Sequence, residues 1–209
     1  MISQDKVRYL HFTKIRDTTY LLVWLAMLAV SSLEAAAAVP KHDDIFVTIA
    51  EGGKAKCVIV VGDKATSEEK RAASQIQDVL LRDGGEMPRL LTARNRASLS
   101  SDLPLIVIGT LQTNPLVSVI APDAKNEGES LSLEGFRILT TMYRPGTGSA
   151  RTRTILIWSK TARGVLYGAT EFTDYVMRPD AERRVRVGHT NLRRNPHFSI
   201  RGTYNLSCW

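Results

Sequence analysis

The pattern of apolar and polar positions divides the chain into short apolar runs and two longer amphipathic stretches. Ile45-Phe46-Val47-Thr48-Ile49 is rich in β-branched side chains and ends at Glu51-Gly52-Gly53, which reads as a strand and its turn. Cys57 to Val61 and Leu105 to Gly109 are unbroken apolar runs, the pattern of strands buried on both faces. Between them, Thr66-Ser67-Glu68-Glu69 forms a capping box, with Thr66 as N-cap and Glu69 at the third helical position. Ala72, Ala73, Ile76, Val79 and Leu80 then recur at helical spacing, while Lys70, Arg71, Gln75, Gln77 and Asp78 take the outer faces. Gly84-Gly85 predicts the end of that helix.

The second half repeats the same vocabulary. Asn114-Pro115 opens a short helical turn running toward Ala121-Pro122. Glu134 to Thr140 and Thr154 to Trp158 read as two strands, joined by a loop containing Arg144-Pro145-Gly146-Thr147-Gly148-Ser149. Glycine-rich loops can cradle phosphates, but this one leads into a strand, so no helix N-terminus is there to receive an anion. A second amphipathic helix spans roughly residues 162–177, with Val165, Ala169, Phe172 and Val176 on one stripe. It carries Gly164 and Gly168. An interior glycine costs a helix about 1 kcal/mol relative to Ala, and close approach of the helix to a sheet is the compensating gain. Residues 183–187 give a last short strand, and 191–196 read as a linker.

The expected fold class is α+β: a two-layer α/β sandwich of two main helices over a mixed sheet of about five to seven strands. The order strand, helix, strand, strand hairpin, helix does not fit a strictly alternating doubly wound sheet. Residues 198–202 look like the first strand of something that continues. A strand needs neighbours, because unpaired backbone groups at a buried edge are costly.

The opening residues add a location. Lys6, Arg8, Lys14 and Arg16 precede the apolar run Leu21 to Val30, which closes in Ala35-Ala36-Ala37-Ala38. A basic stretch, an apolar core of about 10 residues and small residues at the cut site make a secretory signal cleaved after Ala38. A permanent anchor would need about 20 unbroken apolar residues, and Ser31, Ser32 and Glu34 interrupt this run. The expectation is a secreted or periplasmic protein with no permanent membrane span.

The net charge of +7 is unevenly placed. Residues 144–201 hold twelve Lys and Arg against four Asp and Glu, whereas residues 39–143 hold twelve against fourteen. The arginines are scattered over several elements without interleaved aromatics, so a solvated or domain-facing surface is expected and nucleic acid is not. Cys57 sits in an apolar run as a small core residue; pairing with Cys208 is open, and the spacing does not require it. There is no paired Cys/His motif of metal-ligand spacing, and no cofactor is implied.

Chemistry is sparse. The chain contains no nucleophile elbow, His-Glu-x-x-His motif or dinucleotide fingerprint. Asp43-Asp44 and Glu68-Glu69 are adjacent carboxylates, and neighbouring residues rarely flank a substrate together as glycosidase acid and base do. No catalytic residue is assigned.

Several segments, in order, resemble the N-terminal α/β domain that precedes the catalytic barrel of bacterial glycoside hydrolases of the β-N-acetylhexosaminidase and α-glucuronidase kind. They are residues 65–73, Leu105-Ile106-Val107-Ile108-Gly109, Glu134-Gly135-Phe136-Arg137-Ile138 and Thr161-Ala162-Arg163-Gly164-Val165-Leu166-Tyr167-Gly168-Ala169. Pro196-His197-Phe198-Ser199-Ile200-Arg201-Gly202 resembles the family's entry into the first barrel strand. The resemblance covers residues 39–202. With the signal read above over 1–38, it implies an accessory domain over 39–190, and a linker with the start of a (β/α)8 barrel over 191–209, cut short before the catalytic carboxylates. It also implies a carbohydrate substrate for the parent enzyme, the chain's own barrel as partner, and Arg201 as a substrate-binding residue. Hexosaminidases continue from Arg-Gly into an Asp-containing segment ending in Arg-His. Here Thr203 to Trp209 stands in its place, which leaves an α-glucuronidase-like or uncharacterised subgroup open. A free-standing glycan- or protein-binding module is the alternative expectation.

Overall fold

The computed structural model describes residues 45–98, 103–145 and 150–195. They build ten strands and four α-helices. The first half contains β1 (Ile45–Glu51), β2 (Lys54–Ala55), β3 (Val58–Val61), α1 (Ser67–Gly84), β4 (Arg89–Thr92) and β5 (Leu105–Thr110). Two short helices come next, α2 (Leu116–Ile120) and α3 (Ala124–Glu129). Then come β6 (Phe136–Tyr143), β7 (Thr152–Ser159), α4 (Ala162–Glu171), β8 (Met177–Pro179), β9 (Val185–Gly188) and β10 (Asn191–Arg194).

The larger sheet runs β10-β6-β7-β5-β3-β4. β4, β3, β5 and β7 are parallel, while β6 lies antiparallel to β7, and β10 antiparallel to β6. This is the expected mixed sheet, and its parallel strands β3 and β5 are the apolar runs buried on both faces. On one face, Ile59, Val61, Ile106, Ile108, Ile155 and Ile157 form a core with Ala72, Ala73, Ile76 and Leu80 of α1 and Val165 and Ala169 of α4. On the other, Val58, Val60, Val107, Leu156 and Trp158 pack against Leu116 and Val117 of α2 and Ala124 of α3. The alternation along each strand therefore feeds two cores.

Three features extend the expected sandwich. First, the strand beginning at Ile45 joins a separate four-stranded sheet, β2-β1-β9-β8, whose Ile49, Ala50, Val185 and Val187 enter the core around α1. A single apolar strand does not reveal which neighbour it will choose. Second, Asn191–Arg194, read from composition as a linker, is a strand paired with Leu139 to Phe136. It is an edge strand with three exposed polar residues, so its pattern carries little apolar signal. Third, the second helix is α-helical only to Glu171 and continues as a π-helical turn, Phe172–Val176, before Met177 becomes extended. Phe172 is still fully buried on the expected stripe.

Both expected helix starts are present. Thr66 Oγ1 accepts the amide of Glu69, and the Glu69 side chain accepts the amide of Thr66, completing the capping box. Gly85 ends α1 in the left-handed region at φ 92°. Thr161 caps α4 by accepting the amide of Gly164.

Candidate functional site

In parallel sheets, ligands bind outside the carboxyl ends of the strands, where successive connections leave on opposite faces. That place lies here between β3 and β5, since α1 packs on one face of the sheet and α2 on the other. The crevice is filled by the chain's own loop. Residues 110–114 fold back so closely over Gly62 that a Cβ there would overlap the Thr113 carbonyl and stand 2.8 Å from the Asn114 Cα. Asn114 is fully buried, donating through Nδ2 to the Ile108 carbonyl at 2.8 Å and accepting the Leu116 amide through Oδ1 at 3.1 Å.

Glu69 locks this plug in place. Its Oε2 accepts the Thr66 amide at 2.7 Å, and its Oε1 accepts the Thr110 amide at 3.0 Å and the Thr113 hydroxyl. The carboxylate is fully buried with these donors around it. It therefore meets no ligand, and its chemistry is that of a tie between α1 and the loop after β5. Its neighbour Glu68 is exposed at the helix start, where its own backbone amide and the Ser67 hydroxyl hold its carboxyl below the usual range. The two adjacent glutamates thus face different surroundings and do not form an acid–base pair. Asp43-Asp44 lies outside the described residues.

The end of β7 is closed in the same way. Ser159 Oγ donates to the Gly135 carbonyl at 2.5 Å and accepts the Thr161 amide at 3.2 Å, while the Thr161 hydroxyl donates to the Leu133 carbonyl. Glu134, which sequence reading did not single out, is buried in this segment. Its Oε1 stands 3.8 Å from the Arg163 guanidinium, and its Oε2 has no hydrogen-bond partner. Nothing in the local pattern marks it, because its surroundings depend on Arg163, far along the chain. A lone carboxylate beside a guanidinium is an ion pair, and among the described residues no nucleophile or base is hydrogen-bonded to it.

The other well-defined feature is the edge from which the chain leaves. β10 lies along β6, and Thr190 extends the pairing: its carbonyl accepts the Thr140 amide and its amide donates to Thr140 Oγ1, both at 2.8 Å. Asn195 then clamps the chain to the loop after α3. Its Oδ1 accepts the Ser132 amide at 2.9 Å and its Nδ2 donates to the Ser130 carbonyl at 3.0 Å, the same carbonyl that Arg193 reaches at 3.0 Å.

Arg201 and Cys208 lie outside the described residues, as do residues 1–44 and 196–209. Cys57 is a free, buried thiol, and burial pushes its pKa up to about 12. Among the described residues no group of His, Cys, Asp and Glu could hold a metal ion, and no helix is long and apolar enough to cross a membrane. No protein-family model matches the chain, and no curated protein matches it significantly.

Proposed function

We propose that this chain is the exported, non-catalytic accessory domain of a carbohydrate-degrading glycoside hydrolase, with a signal over residues 1–38 and the first strand of a (β/α)8 barrel within 191–209. The observation that carries the reading is the filled crevice. An α/β domain whose ligand position is occupied by its own Thr113 and Asn114 has given up small-molecule chemistry there. The hydrogen-bonded exit at Asn195 supports it further, since a rigid departure point suits a domain that holds a second one in a fixed pose. The resemblance of the segments at 65–73, 105–109, 134–138 and 161–169 supplies the hydrolase class. The test is direct. The encoding DNA continues in frame beyond Trp209 into a barrel, and the purified chain releases no sugar from a panel of aryl glycosides that the full-length enzyme hydrolyses. A natural stop directly after the Trp209 codon, with no barrel-coding sequence beyond it, overturns the reading in favour of a free-standing binding module.

A further inference from the structure

Five of the ten described arginines in residues 144–201 are already partnered. Arg184 and Arg186 share Asp180, Arg163 stands by Glu134, Arg194 reaches Glu171, and Arg193 donates to Ser130; earlier in the chain, Arg137 pairs with Glu127. Arg144, Arg178 and Arg183 are exposed without a side-chain partner among the described residues as well, but Lys56, Arg151 and Arg153 gather at one place. They are exposed, take part in no side-chain hydrogen bond or ion pair among the described residues, and line one pocket of about 620 Å³.

The pocket lies between β1 of the small sheet and the amino ends of the parallel strands, opposite the plugged crevice. The fold puts the cations there. Along β7, Ile157 and Ile155 point into the core beneath the helices; the same face continues as Arg153 and Arg151, where the helix cover has ended. Alternate residues on one strand face are spaced by roughly 6.5–7 Å, so Arg151 and Arg153 leave the chain on one side, and Lys56 lines the same pocket. Each guanidinium offers a planar fork of donors suited to carboxylate or sulfate. Glu51 is the one acidic lining residue, leaving three cations against one carboxylate. The volume falls in the range of small-ligand sites. No aromatic side chain lines the pocket, so it lacks the stacking platforms of a single-stranded nucleic-acid groove.

We propose that this pocket is a subsite for a short acidic saccharide, whose carboxylates or sulfates are bound by Lys56, Arg151 and Arg153. The anionic class comes from the unpaired cations; the saccharide scaffold rests on the carbohydrate reading above. The test titrates the whole chain calorimetrically at low salt with tetragalacturonate, a sulfated tetrasaccharide, a neutral tetrasaccharide and a tetrathymidylate. One or both acidic saccharides bind, the neutral one does not, and added salt weakens binding because exposed charges are screened. Arg153→Gln and Lys56→Gln each lower affinity by about tenfold or more. Arg178→Gln, at an exposed arginine on β8, leaves it unchanged, and all three variants keep the parent melting temperature. Absence of acidic-saccharide binding, equal binding of the neutral sugar or the oligonucleotide, or equal loss in Arg178→Gln overturns the subsite. The hydrolase reading fails separately. Acidic-saccharide binding that Arg153→Gln abolishes, in a chain whose gene encodes no barrel, keeps the subsite and removes the parent enzyme; a barrel with no binding does the reverse.

Discussion

Asp180 shows how much one side chain can organise. Its Oδ1 accepts the amides of Glu182 and Arg184, each at 3.0 Å, and its Oδ2 accepts Arg184 Nε at 2.9 Å and Arg186 Nη2 at 3.2 Å. These bonds turn the chain from β8 into β9, where Arg183 takes the left-handed conformation at φ 55°. The Arg184 amide above all, and then its guanidinium, hold the Asp180 carboxyl below the ordinary aspartate range. A folded pKa below the unfolded value of about 3.9 means the native state binds its proton later as pH falls. The stabilisation is therefore complete above that value and disappears as pH drops through the lowered folded pKa. Asp180→Asn should melt below the parent at pH 7, with the gap closing as both are acidified. A gap that stays constant from pH 7 to pH 2 would show that shape, not charge, is what Asp180 contributes. At this scale the sequence is half legible. The capping box of Thr66 and Glu69 could be read because its members are three residues apart. The second role of Glu69 could not, because Thr110 and Thr113 lie 41 and 44 residues away.

Among the elements, α4 states its packing most openly. Gly164 and Gly168 lie on the buried side of the helix. A Cβ at Gly168 would stand 2.9 Å from Ile157 Cγ2 and 3.2 Å from Phe136 Cβ, and one at Gly164 would meet the Ser159 hydroxyl and, at 2.6 Å, the Gly135 carbonyl. The close approach inferred from two glycines four residues apart is thus present, against β6 and β7. Gly168→Leu should lower stability even though leaving glycine favours the helix by about 1 kcal/mol, because overpacking a filled core costs about 1–3 kcal/mol. A thermal melt equal to the parent or higher would show that the sheet can yield. The elements that could be read from the chain are those whose apolar positions face a core: β1, β3, β5, β6, β7, β9 and both long helices. β10 was hidden because an edge strand needs only one apolar residue, here Leu192, to seat it. The plug was hidden for a different reason. Asn114-Pro115 announces a turn, but not that the turn will fall into the crevice beside Gly62.

At the scale of the whole molecule, the two ends of the parallel strands have opposite characters. The carboxyl end, where such sheets usually do chemistry, is sealed by hydrogen bonds, while the amino end carries the unpaired Lys56, Arg151 and Arg153. On the proposed reading, recognition of the sugar at the catalytic centre belongs to the barrel and begins at Arg201. Guanidinium stays charged and grips two adjacent oxygens at once, which suits neighbouring sugar hydroxyls. The competing role is an ion pair across the junction between domain and barrel. Arg201→Lys in the full-length enzyme separates them, since lysine keeps the charge and loses the fork. A substrate-binding role gives a kcat/KM lowered by about tenfold or more, the equivalent of about 1.4 kcal/mol of transition-state binding, with the melting temperature unchanged. A lowered melting temperature with full activity per folded molecule would assign Arg201 to the interface instead, and would leave the sugar-binding groups to be sought deeper in the barrel.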